Sequence, residues 1–329
     1  MRLAIIGCGN IVRKEHIPAL CNLGVSISAL CDISISNIYK AKLLLNYSPS
    51  TYICYRKMID EIEPDTIIIA LPHELYEDII CYCCKSNVTT IIKEKPFALN
   101  VMQARKLKDL IIKNDMRFFT VCQKRYTLAY EKLKECLIST GEKASQVEIR
   151  YTIPSKNPNS DWRGNNAISG GGVWLDMGYH IVNLVNYLFD GDEISVNYSR
   201  LINTSSGEYD VDDIAFVELQ CRGVIIFIYI SCVGYKKHED VTLISDNFII
   251  YGNKYMVQVK SKKQKIINEF DFINELESPF VRMYREILFS DSQDGFNSNL
   301  VSSLAVTDIL EVAFKDSGYK VKKSKGMEI

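Results

Sequence analysis

The sequence has no excess of either charge. Its 39 Lys and Arg stand against 40 Asp and Glu, a formal net charge of −1 over 329 residues. No global field therefore recruits nucleic acid or an anionic membrane. A long hydrophobic run is also missing. The longest, VIIFIYISCV at 224–233, is too short to span a bilayer as a helix and is β-branched like a buried strand. Internal repeats and low-complexity linkers are absent. The opening MRLAIIGCGN reaches glycine after a few apolar residues and carries no cleavage signature, so no signal peptide is expected. Eleven cysteines are scattered without a secretory context, as expected of reduced thiols in a cytoplasmic protein. Cys81 and Cys84 have CxxC spacing, but a tetrahedral zinc site wants a second pair and none is present. They read as buried small hydrophobes, and no metal is expected. The short basic stretch KVKKSKG near the C-terminus reads as a solvated tail.

Hydrophobic residues make up 47% and charged residues 24%, as in a soluble globular protein. The length exceeds one ordinary core and implies two domains. Over the first 122 residues, strand and helix patterns alternate. RLAII (2–6), SISAL (26–30), TIIIAL (66–71), TTII (89–92) and RFFTVC (117–122) are continuous apolar strands. Helical stretches such as KEHIPALCNL, and one capped by Ser36 and running to about Tyr47, separate them. That alternation predicts a doubly wound parallel sheet with both faces covered. From residue 123 to 329 the pattern becomes α+β. QVEIRYTI, VNYSRLI, IAFVELQ, GVIIFIYIS, VTLIS, NFIIYG and KYMVQVK predict a large, mainly antiparallel open sheet with meander connections. Helices are expected near 279–289 and 299–317, with Gly318 as a C-cap. One face of such a sheet needs cover, for example over Ile226, Ile228 and Ile230, so a homodimer or homotetramer through it is expected.

Gly7-Cys8-Gly9-Asn10-Ile11-Val12 follows the first strand, where glycines let a backbone approach a pyrophosphate held by helix N–H groups. Asp32 ends the second strand at about the twenty-residue distance of a ribose-binding carboxylate. Such a carboxylate accepts from both ribose hydroxyls and repels a 2′-phosphate, which favours NAD over NADP. The other reading of Asp32 is a cap for the next helix. Lys93-Glu94-Lys95-Pro96 ends a later strand of the same sheet, on the side where doubly wound sheets bind ligands. A lysine there can stabilise charge developing on a substrate oxygen, or simply belong to a solvated loop. In SGGGVWLDMGYH (169–180), a helix starting near Val173 would put Asp176 and His180 on one face, about 6 Å apart. The carboxylate can then orient a histidine that titrates near neutrality. A structural His–Asp pair is the alternative. The preceding glycines permit close approach of another backbone or of a ligand.

In combination, GCGN at 7–10, Asp32, ALP at 70–72, EKP at 94–96 and GGGVWLDMGYH at 170–180 resemble the Gfo/Idh/MocA oxidoreductases. That family is named for glucose-fructose oxidoreductase and inositol dehydrogenase. The resemblance implies an NAD-dependent enzyme acting on a secondary alcohol or ketone of a sugar, cyclitol or nucleotide-sugar. It implies catalytic roles for Lys95 and His180, with Asp176 orienting the histidine. Cofactor contacts are implied for Gly7, Gly9, Asn10, Ile11, Asp32, Leu71, Pro72, Glu94, Lys95 and Arg163. Substrate contacts are implied for Lys95, Arg125, Trp162, Asp176 and His180. Two positions depart from the family's pattern: Asn183 where aspartate is frequent, and Tyr76 where histidine is frequent. Imine or double-bond reduction on the same scaffold, and a non-catalytic NAD-binding regulator, are the rival functions.

Overall fold

Strands that are apolar at every position have no solvent face, and the first unit is built on them. The structure is a computed structural model that describes residues 1–154, 162–205, 207–289 and 293–319. Among the described residues the first unit holds a six-stranded sheet in the order β3-β2-β1-β4-β5-β6. Its strands are β1 (Leu3–Ile6), β2 (Ile27–Cys31), β3 (Ser50–Tyr52), β4 (Thr66–Ile69), β5 (Thr90–Lys93) and β6 (Arg117–Thr120). All neighbours pair in parallel. Every residue of β1, β4 and β5 is buried, as a sheet covered on both faces requires. Strand order reverses between β1 and β4, and their carboxyl ends are where such a sheet binds ligands. The glycine turn follows β1, and Ala70-Leu71-Pro72 follows β4.

Two local readings change. The helix after β2 is Ile35–Lys42, capped by the side chain of Ser34 rather than Ser36, and it ends well before Tyr47. The edge strand β3 escaped the sequence reading because its three residues carry no apolar pattern and are largely exposed.

The second unit carries an eight-stranded sheet among the described residues, ordered β14-β13-β12-β11-β7-β10-β9-β8. Its strands are β7 (Gln146–Pro154), β8 (Ile194–Ile202), β9 (Ile214–Cys221), β10 (Val224–Ser231), β11 (Val233–Ile244), β12 (Phe248–Asn253), β13 (Met256–Ser261) and β14 (Ile266–Asp271). The runs β8–β10 and β11–β14 are antiparallel meanders, as expected. β7 is inserted between them, parallel to β10 and antiparallel to β11. Strand β10 alternates rather than being buried throughout. Ile226, Ile228 and Ile230 lie within the core, and the opposite face bears Tyr198, Phe216 and Phe227, 52%, 42% and 41% exposed. The residues expected to need cover are thus covered by this unit itself, and the open face is the other one.

The two compact units do not follow one another in sequence. One comprises Met1–Gln123 with Glu277–Leu304, the other Lys124–Leu276 with Ala305 onward, against the expected split at 122/123. Helix Pro279–Phe289 and the start of helix Gln293–Asp316 return to the first sheet. Asn299 explains part of this: its side-chain amide accepts from Thr120 N at 2.8 Å and donates to Thr120 O at 3.1 Å, closing the free edge of β6. Gly318, with φ of 60°, ends the last helix as expected. The basic KVKKSKG stretch lies outside the described residues. All eleven cysteines are free, but Cys81 and Cys84 are partly exposed, and it is Cys83 that is buried in that helix. No described helix is long and apolar enough to cross a membrane.

Candidate functional site

Gly7 and Gly9 do different work. Gly7 has φ of 92°, and a Cβ there would lie 2.1 Å from Ala70 O, so the neighbouring strand end forbids any side chain. At Gly9 an added Cβ would meet nothing within 4 Å, which leaves the turn open to a ligand. Helical winding starts at Asn10, with Val12–His16 π-wound and Ile17–Asn22 in α geometry. Ile11 is exposed at the start of this helix. Asp32 accepts from Cys8 N at 2.7 Å through one oxygen and from Ser34 N at 2.7 Å through the other. Ser34, not Asp32, is the helix cap. Asp32 therefore ties the glycine turn to the end of β2, the position a ribose-binding carboxylate needs. Arg13 reinforces the turn. Its guanidinium donates to Cys8 O at 2.5 Å, Asn10 Oδ1 at 2.6 Å and Asn37 Oδ1 at 3.1 Å. The open Gly9, the helix start and the Asp32 carboxylate together fit a dinucleotide.

Beyond β5, Glu94 is buried and faces inward rather than standing in a solvated loop. One oxygen contacts His16 Nε2 at 2.8 Å, and the other accepts from Lys95 N at 3.2 Å. His16 Nδ1 lies 2.5 Å from the hydroxyl of Tyr284. Burial, then the charge of Glu94, pushes the Tyr284 phenol well above its ordinary range. That hydroxyl stays protonated, and both ring nitrogens of His16 are engaged, one by Tyr284 and one by Glu94. Burial pushes the Glu94 carboxyl up, but the His16 hydrogen bond, the His16 charge and Lys95 outweigh it and hold the carboxyl below its usual value. Lys95 is half-buried between Glu94 and a cis Pro96. Leu71 and Pro72 are also half-buried, at the end of β4. His16 and Tyr284 carried no motif in the sequence and are far apart in it, so only the fold shows their link to Glu94.

In the second unit the GGG segment packs against a backbone. A Cβ on Gly172 would fall 1.9 Å from Asp212 O and 2.6 Å from Asp212 N. Asp212 O accepts from Val173 N at 2.8 Å. Its carboxylate accepts from Gly172 N at 2.9 Å and Trp174 N at 2.7 Å. Burial pushes this carboxyl up to about 6, against the opposing pull of those backbone amides. Sequence reasoning missed Asp212, although an Asp212-Asp213 pair ahead of a strand was a visible signal.

The single helix expected from Val173 is two, Val173–Asp176 and Gly178–Leu188, broken at Met177. His180 N donates to Met177 O at 3.1 Å, the tight winding of a turn. Across residues 171–186, all but Asp176 and His180 are buried. Arg125, half-buried in a short 3₁₀ turn, reaches Asn183 Oδ1 at 3.4 Å and lies over the Tyr187 ring. Asn183 thus meets Arg125 with a neutral amide at one of the two positions that depart from the expected pattern. Arg163 is exposed in the turn Trp162–Gly164. The Trp162 side chain lies outside the described residues. Among the described residues no group of His, Cys, Asp or Glu is arranged to hold a metal ion.

The NAD-binding Rossmann-fold domain of the oxidoreductase family matches residues 1–121, and the GFO/IDH/MocA C-terminal domain matches 138–258. The chain is 23% identical over 249 residues to the myo-inositol 2-dehydrogenase of Thermotoga maritima, covering 73% of this chain and 72% of that one. An oxidoreductase of Thermotoga maritima superposes with a TM-score of 0.82 at 19% identity, covering 97% of both chains. The WlbA dehydrogenase of Bordetella pertussis, crystallised with NADH and UDP-GlcNAcA, gives 0.76 at 19% identity over 97% of this chain and 98% of that one. With both domains matched in order, and with the glycine turn, Asp32 and the EKP turn arranged on a 3-2-1-4-5-6 parallel sheet, the chain belongs to the Gfo/Idh/MocA family of NAD(P)-binding oxidoreductases.

Proposed function

We propose that this enzyme moves hydride between NAD and a secondary alcohol or ketone of a sugar, cyclitol or nucleotide-sugar. The observation that carries the reading is the burial pattern of the second unit. In a sixteen-residue stretch that is otherwise buried, the two residues left half-accessible are Asp176 and His180. A structural pair would be sealed with its neighbours; a working acid–base pair cannot be.

Gly7, Gly9, Asn10 and Ile11 would hold the dinucleotide's phosphates, and Asp32 the adenosine ribose. When bound, NAD supplies the nicotinamide carbon that accepts or gives hydride. His180 takes the hydroxyl proton during oxidation and returns it during reduction. Asp176 favours the charged imidazole. Lys95 donates to the reacting oxygen and offsets its developing charge. Leu71, Pro72 and Glu94 shape the nicotinamide side. Arg125, Arg163 and Trp162 remain proposed contacts of substrate or cofactor.

His180→Ala should lower turnover of myo-inositol or a UDP-sugar roughly 10²–10⁴-fold, the usual contribution of a general acid–base. NADH affinity should stay within about twofold. Retained turnover in that variant would remove His180 from the chemistry.

The open face of the second sheet, with Tyr198, Phe216 and Phe227 exposed, would be covered by a second copy of this chain. Light scattering at micromolar concentration should show a dimer or tetramer. A clean 37.5 kDa monomer would count against it.

A further inference from the structure

We propose that Lys93 and Tyr76 form a buried clamp that sets where Lys95 stands. The role is one of positioning, without contact to substrate. It rests on the reading above, in which the Lys95 turn and Leu71 border the nicotinamide.

Lys93 is the last residue of β5, and none of it is exposed. Its ammonium donates to Glu94 O at 2.9 Å and to Pro96 O. Those two carbonyls flank Lys95 on either side. The third proton faces the Tyr76 ring, whose centroid is 3.5 Å from Nζ. A cation that close to a ring face, away from water, is attracted by the ring's quadrupole. Tyr76 is fixed in turn, because its hydroxyl donates to Leu71 O at 2.7 Å. One continuous linkage thus runs from the end of β4, through the Tyr76 ring and the Lys93 ammonium, to both sides of Lys95.

Burying an ammonium is costly unless something specific answers it. The three other residues of β5 are threonine and isoleucines, and an apolar side chain would fill the same space. An apolar residue cannot donate to the carbonyls of Glu94 and Pro96. Burial pushes the Lys93 amine well below its ordinary value, Lys95 adds to this, and Glu94 opposes it. The titratable groups around it are Glu94 and Lys95 on its own turn and Tyr76 on the facing helix. Tyr76 is also one of the two positions at which this chain departs from the family's pattern. The clamp gives that departure a reason, since histidine offers the ammonium a weaker ring face and becomes a like charge when protonated.

The test measures binding of NADH and of ADP-ribose, which lacks the nicotinamide, by titration calorimetry. Wild type should bind NADH more tightly than ADP-ribose. Lys93→Met should lose about tenfold or more in NADH affinity, the scale of a lost charged hydrogen bond. ADP-ribose affinity should stay within about twofold. Tyr76→Phe keeps the ring and drops only the hydroxyl, so its selective NADH loss should be about threefold; it decides the matter if Lys93→Met does not fold. A folded Lys93→Met that keeps its NADH affinity overturns the clamp. Equal weakening of both ligands also overturns it, because that is general damage to the unit. If wild type itself binds the two ligands equally, the nicotinamide is not at this turn, and the underlying reading fails with the clamp.

Discussion

At the Glu94–Pro96 turn the backbone presents carbonyls; at the start of helix Val173–Asp176 it presents amides. The first is met by a buried cation, Lys93, donating to Glu94 O and Pro96 O. The second is met by a buried anion, Asp212, accepting from Gly172 N and Trp174 N. A chain leaving a strand has carbonyls whose ladder partners have ended, and a helix start has unpaired N–H groups. The sign of each buried charge follows from which backbone group is orphaned. In both places the charged side chain serves the backbone, and the residue proposed for chemistry is its neighbour, Lys95 in one case and Asp176 in the other. The two differ in reach. Lys93 belongs to its own turn, so its clamp is local, whereas Asp212 comes from forty residues away in sequence and couples the glycine helix to the strand that follows it.

That difference has measurable consequences. The largest effect should come from Gly172→Ala, because its Cβ would overlap the Asp212 backbone rather than a flexible side chain. Destabilisation of about 3 kcal/mol or more is expected, at the upper end for overpacking, read from chemical denaturation. A loss below about 1 kcal/mol would mean that the Asp212 backbone yields easily, and the coupling would be weaker than the distances suggest.

An effect no larger than that should appear in the pH dependence of stability. The Asp212 carboxyl is raised in the folded state from 3.8 to about 6. A raised carboxyl binds its proton more tightly when folded. Its favourable contribution is therefore complete below pH 3.8 and lost as pH rises through about 6. The loss is about 3 kcal/mol at 1.36 kcal/mol per pH unit. Asp212→Asn lacks this titration, so wild type should lose stability relative to the variant as pH rises from 4 to 7. Parallel melting curves of the two across that range would show that Asp212 is not the buried carboxyl described here.

The elements that local chemistry dictates are legible in the sequence. Continuous apolar strands such as LAII and TIII, broken by amphipathic helices, have one stable arrangement, a covered parallel sheet. Gly7, Gly9 and Asp32 were legible because turn geometry and ribose chemistry restrict residue type at fixed spacing. The charged cluster Lys93-Glu94-Lys95-Pro96 at a strand end and the four-residue spacing of Asp176 and His180 within an apolar stretch are visible as patterns. The family resemblance singles out Lys95 and His180 among them. What sequence alone determined about this protein is thus the two kinds of sheet, most of their strands and the dinucleotide turn, together with a short list of residues proposed for chemistry. Tertiary structure decided what those residues lean on. His16 meets Glu94 from 78 residues away and Tyr284 from 268, Asp212 reaches back to Gly172, β7 enters the centre of a sheet whose other strands follow it, and Asn299 returns to β6. None of these has a periodicity or motif, because a buried hydrogen bond constrains where two groups meet in space and leaves their separation along the chain free.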